Sequence, residues 1–125
     1  MNALSRIHKA LKKEGVLLDL HPTKPFATVE GAGVRLGALD ESDFMQIVAA
    51  TEAGLNETLR LGLFALEKRC TFDVVERFDT ADELVDAVAD WLGVCIPNRV
   101  AERVRASAPP FDIRERVLLQ RFQVL

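Results

Sequence analysis

Residues 3–22 join an amphipathic helix to a strand with almost no polar side. That junction restricts the fold more than any other stretch. Leu4, Ile7, His8 and Leu11 fall at i, i+3, i+4 and i+7, one face of a helix. Lys9, Lys12 and Lys13 gather near its C-terminus, where cations oppose the helix dipole. Gly15 supplies the left-handed conformation that commonly ends a helix. Val16-Leu17-Leu18-Asp19-Leu20 is then a nearly unbroken apolar run, the mark of a strand covered on both faces. Pro22 and Pro25 stop it. Such a strand needs helices packed on its sheet.

The remainder of the chain supplies them. Phe26 to Glu30 and Val34 to Leu39 flank Gly31-Ala32-Gly33, a β-hairpin spacing with residues free to take positive φ. A phosphate cradle would need a following Lys-Ser/Thr and a helix, and neither is there. Asp40 or Ser42 caps a helix to about Leu61, whose apolar face is Phe44, Ile47, Val48, Thr51, Leu55 and Leu59, with Gly54 as a close-packing point or bend. Phe64 to Phe78 has strand character, with Phe72, Val74 and Phe78 on one face. Thr80 and Glu83 form a capping box for a helix that buries Leu84, Val85, Val88, Trp91 and Leu92 and ends by Gly93. Pro97 opens a short helix edged by Val100 and Val104, and Pro109-Pro110 breaks it. Ile113 to Leu125 is the longest strand candidate, polar at its start and apolar at its end. The order is helix, strand, hairpin, long helix, strand, two helices, strand. It predicts one domain over residues 1–125, an α/β or α+β fold with helices on a small mixed, largely antiparallel sheet.

Composition excludes several classes of function. A chain of 125 residues, 49% hydrophobic and 28% charged, is large enough for a real core. A net charge of -3 gives no overall pull toward nucleic acid or anionic lipid, so neither is expected as a partner. Arg6, Lys9, Lys12 and Lys13 interrupt any leader-like pattern, and no apolar run approaches the ~20 residues that span a membrane. The expected location is the cytoplasm. Cys70 and Cys95 read as two small buried hydrophobes.

The run Leu4-Ser5-Arg6-Ile7-His8-Lys9-Ala10-Leu11-Lys12-Lys13-Glu14-Gly15, continued through Val16 to Pro22, resembles the late part of class I S-adenosylmethionine-dependent methyltransferases. In that family a helix of similar pattern leads into the fifth sheet strand; here Lys13-Glu14 stands where a proline and a glycine are usual. The resemblance implies that the last strand inserts between the fifth and sixth, placing residues 113–125 between 16–20 and 71–78. It also implies what is missing. The cofactor site of the family lies in an N-terminal half with a glycine-rich turn and an acidic strand end, and Gly31-Ala32-Gly33 comes too late to be that turn. No cofactor is therefore expected.

Single residues add candidates. Asp19 and His21 sit at the carboxyl end of a strand, a place where ligands meet α/β sheets, although no third partner is identifiable. Arg99 and Arg103, with Arg114, offer guanidinium groups to an anion. The two histidines and scattered carboxylates have no zinc spacing, and no nucleophile motif is present. A truncated sheet would leave Leu4, Ile7, His8 and Leu11 of the first helix, with Val16 and Leu18 of the first strand, facing water. These are the expected surface of a homodimer, or of a protein partner supplying the missing half of the sheet. The leading expectation is a non-catalytic, methyltransferase-like interaction or regulatory module. The alternatives are one subunit of a split methyltransferase, and a small ligand-binding protein or enzyme with a pocket near His21.

Overall fold

In the computed structural model, which describes residues 3–125, every other strand but one hydrogen-bonds to the last strand. The elements are α1 (Ala3–Ala10), β1 (Val16–Pro22), β2 (Thr28–Gly31), β3 (Val34–Ala38), α2 (Ser42–Arg60), β4 (Phe64–Phe78), α3 (Ala81–Ala89), α4 (Asn98–Arg105) and β5 (Phe111–Val124). This is the expected order element for element. All pairings are antiparallel. On one side β5 runs against β4 for its whole length, from Phe78 opposite Phe111 to Phe64 opposite Val124. On the other side β1 takes the second half of β5 and β2 the first, with β3 beyond β2. The last strand thus lies between β1 and β4, where the layout placed it.

Two helix layers cover opposite faces of this sheet. Side chains alternate along a strand, so Phe111 and Ile113 point one way and Phe122 and Val124 the other. The first pair joins Val29, Phe78, Leu84 and Val88 of α3, and Val100 and Val104 of α4 in one core. The second pair joins Phe64 and Leu55 of α2 in another, with Leu4, Ile7, Leu11, Leu17 and Leu59 packed around it. Each fully buried aliphatic or aromatic side chain contributes about 1.5–3 kcal/mol. The apolar stripe of α1 therefore faces inward. Leu4, Ile7 and Leu11 were expected at an open dimer surface, but α2 and the end of β5 offer them a nearer apolar face, and Leu4 closes over Gly54 of α2.

Local chemistry accounts for the joints. Ala32 and Gly33 both have positive φ, as a two-residue hairpin turn between right-twisted strands requires. The Asp40 carboxylate accepts from both the amide and the hydroxyl of Ser42 at the start of α2. Thr80 accepts from the Glu83 amide at 3.1 Å, while Glu83 returns its carboxylate to the Asp79 amide at 3.2 Å. Gly93, at φ 70°, lets the chain after α3 touch the start of α2, where a Cβ would stand 2.7 Å from the Phe44 amide nitrogen. Helix α3 stops at Ala89, so Leu92, expected inside, lies beyond its last turn and is 73% exposed. Both cysteines are exposed rather than buried. Cys70 lies on β4 where no helix covers it, and Cys95 lies in the segment bridged to Asp40.

Candidate functional site

Alternation along β1 turns Leu17, Asp19 and His21 toward α2 and leaves Val16, Leu18 and Leu20 on the opposite face. On the α2 side His21 Nδ1 is 2.6 Å from Asp19 Oδ2, and Nε2 is 3.1 Å from Glu52 Oε1. Gln120 donates to the same Asp19 oxygen at 3.2 Å. The third partner that the sequence did not disclose is thus Glu52, 31 residues further on. No local pattern could have named it. Both ring nitrogens are engaged and the ring is buried, so the cluster binds β1 to α2 and β5 and presents no free nitrogen to a ligand. His8 is also turned inward: its ring meets Phe64 edge-on at 5.4 Å, and its Nε2 is buried without a hydrogen bond.

The arginine candidates do not converge. Arg103 on α4 donates to the Leu36 carbonyl at 3.1 Å, and Arg99 is exposed on the same helix. Arg114 lies on the other face of β5, within 3.6 Å of Glu30 and 3.7 Å of Asp73. Arg77 holds Asp112 through two hydrogen bonds, which keep that carboxyl below the usual range.

A cleft that sequence reasoning missed opens between β5, β4 and the segment after α3. It encloses about 430 Å³ and is walled by Pro22, Phe44, Trp91, Leu92 and Val94, with Glu41, Glu76 and Glu115 on its floor. Glu41 is 3% exposed and accepts a short hydrogen bond from the Ala27 amide. Glu115 sits half-buried on β5. Burial, then the neighbouring charge of Glu41 and a hydrogen bond with it, then the charge of Glu76, push its carboxyl up to about 7. Glu76 and Glu115 come together only through the β4–β5 register, which places Val74 opposite Glu115 and Glu76 opposite Ile113. Such a group can hold or release a proton near neutrality. Among the described residues no group of histidine, cysteine or acidic side chains is placed to hold a metal ion.

The larger feature is the bare side of the sheet beside this cleft. Leu18 and Leu20 of β1 are 63% and 58% exposed, and Phe72 and Val74 of β4 are 42% and 44% exposed. Leu20 and Cys70 lie opposite Leu119 from either side, and Phe72 lies opposite Val117, so these side chains share one face. Among the described residues no helix is packed there. The outer edges of β1 and β4 also have no strand partner among the described residues. Of the six residues expected at a dimer surface, Val16 and Leu18 lie on this open face, while Leu4, Ile7, His8 and Leu11 are turned into the core.

No protein-family model, curated protein or solved structure matches the chain.

Proposed function

We propose that this protein is a non-catalytic interaction module, built like the C-terminal half of a methyltransferase sheet, that works by docking its open sheet against another protein chain. The observation that carries this reading is the bare apolar face spanning β1, β5 and β4. Monomeric proteins rarely leave contiguous apolar surface of this kind, and where it occurs it marks an interaction site or an aggregation hazard. Placement of β5 between β1 and β4, antiparallel to both, supports the resemblance in layout, although α3 and α4 here separate the last two strands. His21 serves as a tie between β1 and α2, which favours docking over a pocket beside it.

Two measurements test the proposal. Calorimetric titration with S-adenosylmethionine or S-adenosylhomocysteine gives no binding heat; micromolar binding overturns the non-catalytic part. For docking, the mass of the native complex in cell extract is compared between the natural chain and the Leu18→Asp/Leu20→Asp variant. The natural chain runs well above its own 13.9 kDa, and the variant runs lighter than the natural chain. A natural chain that runs alone refutes the docking reading.

A further inference from the structure

We infer that the docking partner includes a second copy of this chain, joined edge to edge through β4 about a two-fold axis at Phe72; this rests on the reading of the protein as an interaction module. β4 is a 15-residue strand, and every side chain from Leu66 to Arg77 is exposed. Natural edge strands are guarded by charged side chains, proline, bulges or a covering element, and of these β4 carries chiefly charges of both signs, Lys68, Arg69, Asp73 and Glu76, which can pair as well as repel. Here the one bulge lies at Glu67, and residues 68–76 contain neither proline nor glycine.

Symmetry restricts how such an edge can meet itself. Residues directly opposite in an antiparallel pair project to the same face, and a two-fold axis perpendicular to the sheet keeps faces unchanged. Only residues of equal parity can therefore stand opposite each other, so the axis must pass through a residue. Centred on Cys70, Glu67 would oppose Asp73; centred on Asp73, Arg69 would oppose Arg77. Centred on Thr71, Arg69 would oppose Asp73, but Lys68 would oppose Val74 and Leu66 would oppose Glu76, leaving a charge mismatched with an apolar side chain in each of those two pairs. Centred on Phe72, Lys68 opposes Glu76, Cys70 opposes Val74, and Phe72 meets its own mate, with Arg69 against Val75 and Thr71 against Asp73 on the reverse face. This register has no like charges opposed, has two Lys68–Glu76 pairs by symmetry, and uses only the bulge-free stretch. It also joins the bare faces of the two copies into one.

Surface area agrees. A folded chain of 13.9 kDa exposes roughly 6,700 Å², whereas this one exposes 7800 Å². The excess of roughly 1,100 Å² is of the size that each partner buries in a standard interface, about 800 Å². The β1 edge is a poorer match. It has seven residues ending in Pro22, and centring it on Asp19 would oppose two aspartates.

The test uses the exposed native Cys70. In the proposed register it lies opposite Val74, at the ~4.5–5.5 Å Cα separation that a disulfide spans. Val74→Cys in a Cys95→Ser background therefore yields a covalent dimer under mild oxidation. Cys95→Ser alone does not, because the two Cys70 residues would stand about 13 Å apart. Sedimentation at micromolar concentration shows a dimer that Lys68→Glu weakens roughly tenfold or more, and that Lys68→Glu/Glu76→Lys restores. Crosslinking through Cys70 alone, or a dimer indifferent to Lys68→Glu, overturns the register. A purified monomer that still enters a larger complex in extract overturns self-pairing and leaves the interaction reading standing. A monomer in both settings removes both.

Discussion

Replacing Glu115 by glutamine should stabilise the protein at pH 8 and do so far less at pH 5. Glu115 shares the floor of the cleft with Glu41 and Glu76, and its carboxyl is pushed up to about 7. The folded chain then holds a proton that the unfolded chain, with an ordinary glutamate near 4.3, has already released. Stability from this group is full below about pH 4.3 and is lost as pH rises through 7, because the folded state binds more protons across that window. Such a displacement corresponds to roughly 3.5–4 kcal/mol if none of it is screened. Glu115 is half-buried, so water reduces the effect to about 1–2 kcal/mol. Asp40, Glu57 and Asp112 have carboxyls held below their usual range by Ser42, Arg60 and Arg77 respectively. They add stability above that range and lose it only in more acid solution, outside the window at issue. Glu115→Gln keeps the side-chain shape and adds an N–H to donate toward Glu41. Urea unfolding followed by the fluorescence of Trp91, the only tryptophan, reads the difference. The natural chain should lose about 1–2 kcal/mol between pH 5 and pH 8 relative to the variant. Equal responses of the two proteins to pH would refute the argument.

Other substitutions probe the joints of the fold. Thr80→Ala should cost about 1 kcal/mol by freeing the Glu83 amide at the start of α3, and an unchanged urea midpoint would show the cap to be idle. Gly93→Ala should cost about 1–3 kcal/mol, since its φ of 70° disfavours a side chain and a Cβ would press on the Phe44 amide nitrogen; a neutral result would mean that the segment relaxes freely. His21→Ala should cost about 1–3 kcal/mol by leaving Asp19 and Glu52 without their shared partner, and a variant as stable as the natural chain would argue against a structural tie. Phe122→Ala should cost about 3–5 kcal/mol, as an emptied site in the α1–α2 core, measured by the same urea titration.

Much of the architecture could be read locally because it is caused locally. The hairpin followed from glycine spacing and α3 from its capping box; Gly15, expected as the left-handed stop of α1, is not one, since the helix ends at Ala10 and Glu14 takes the left-handed turn at φ 68°. The position of β5 between β1 and β4 followed from a resemblance in layout. What failed were inferences about burial, which is set by neighbours far away in sequence. Leu4, Ile7 and Leu11 have the same helical spacing whether they meet a partner or their own core, and only the register of β5 with β1 and β4 brings Phe122 and Phe64 beneath them. Cys70 and Leu92 have apolar character but stand where no layer lies above. The acidic cleft joins Glu41, Glu76 and Glu115 from three separate segments, and His21 finds Glu52 across 31 residues. No periodicity signals such meetings.

The bare face has a cause that is visible in β5 itself. Its buried apolar residues are Phe111, Ile113 and Val117 at odd positions, then Leu118, Phe122 and Val124 at even ones, and no bulge on β5 resets the alternation against β1 or β2. A strand whose apolar side changes without a bulge must be covered by different layers at its two ends. Each layer then leaves the opposite side of its own end uncovered. At the first half that side carries Asp112, Arg114 and Arg116, which pair with Arg77, Glu30 and Asp73; the two arginines stand in water, and Arg77 covers Asp112. At the second half the uncovered side brings Leu119 beside Leu18, Leu20, Cys70 and Phe72. The two bare surfaces therefore differ in degree: the first carries arginine–carboxylate pairings at Asp112, Arg114 and Arg116, whereas the second has Arg121 paired with Glu67 among Leu18, Leu20, Cys70 and Phe72, and the second is the one that should meet protein.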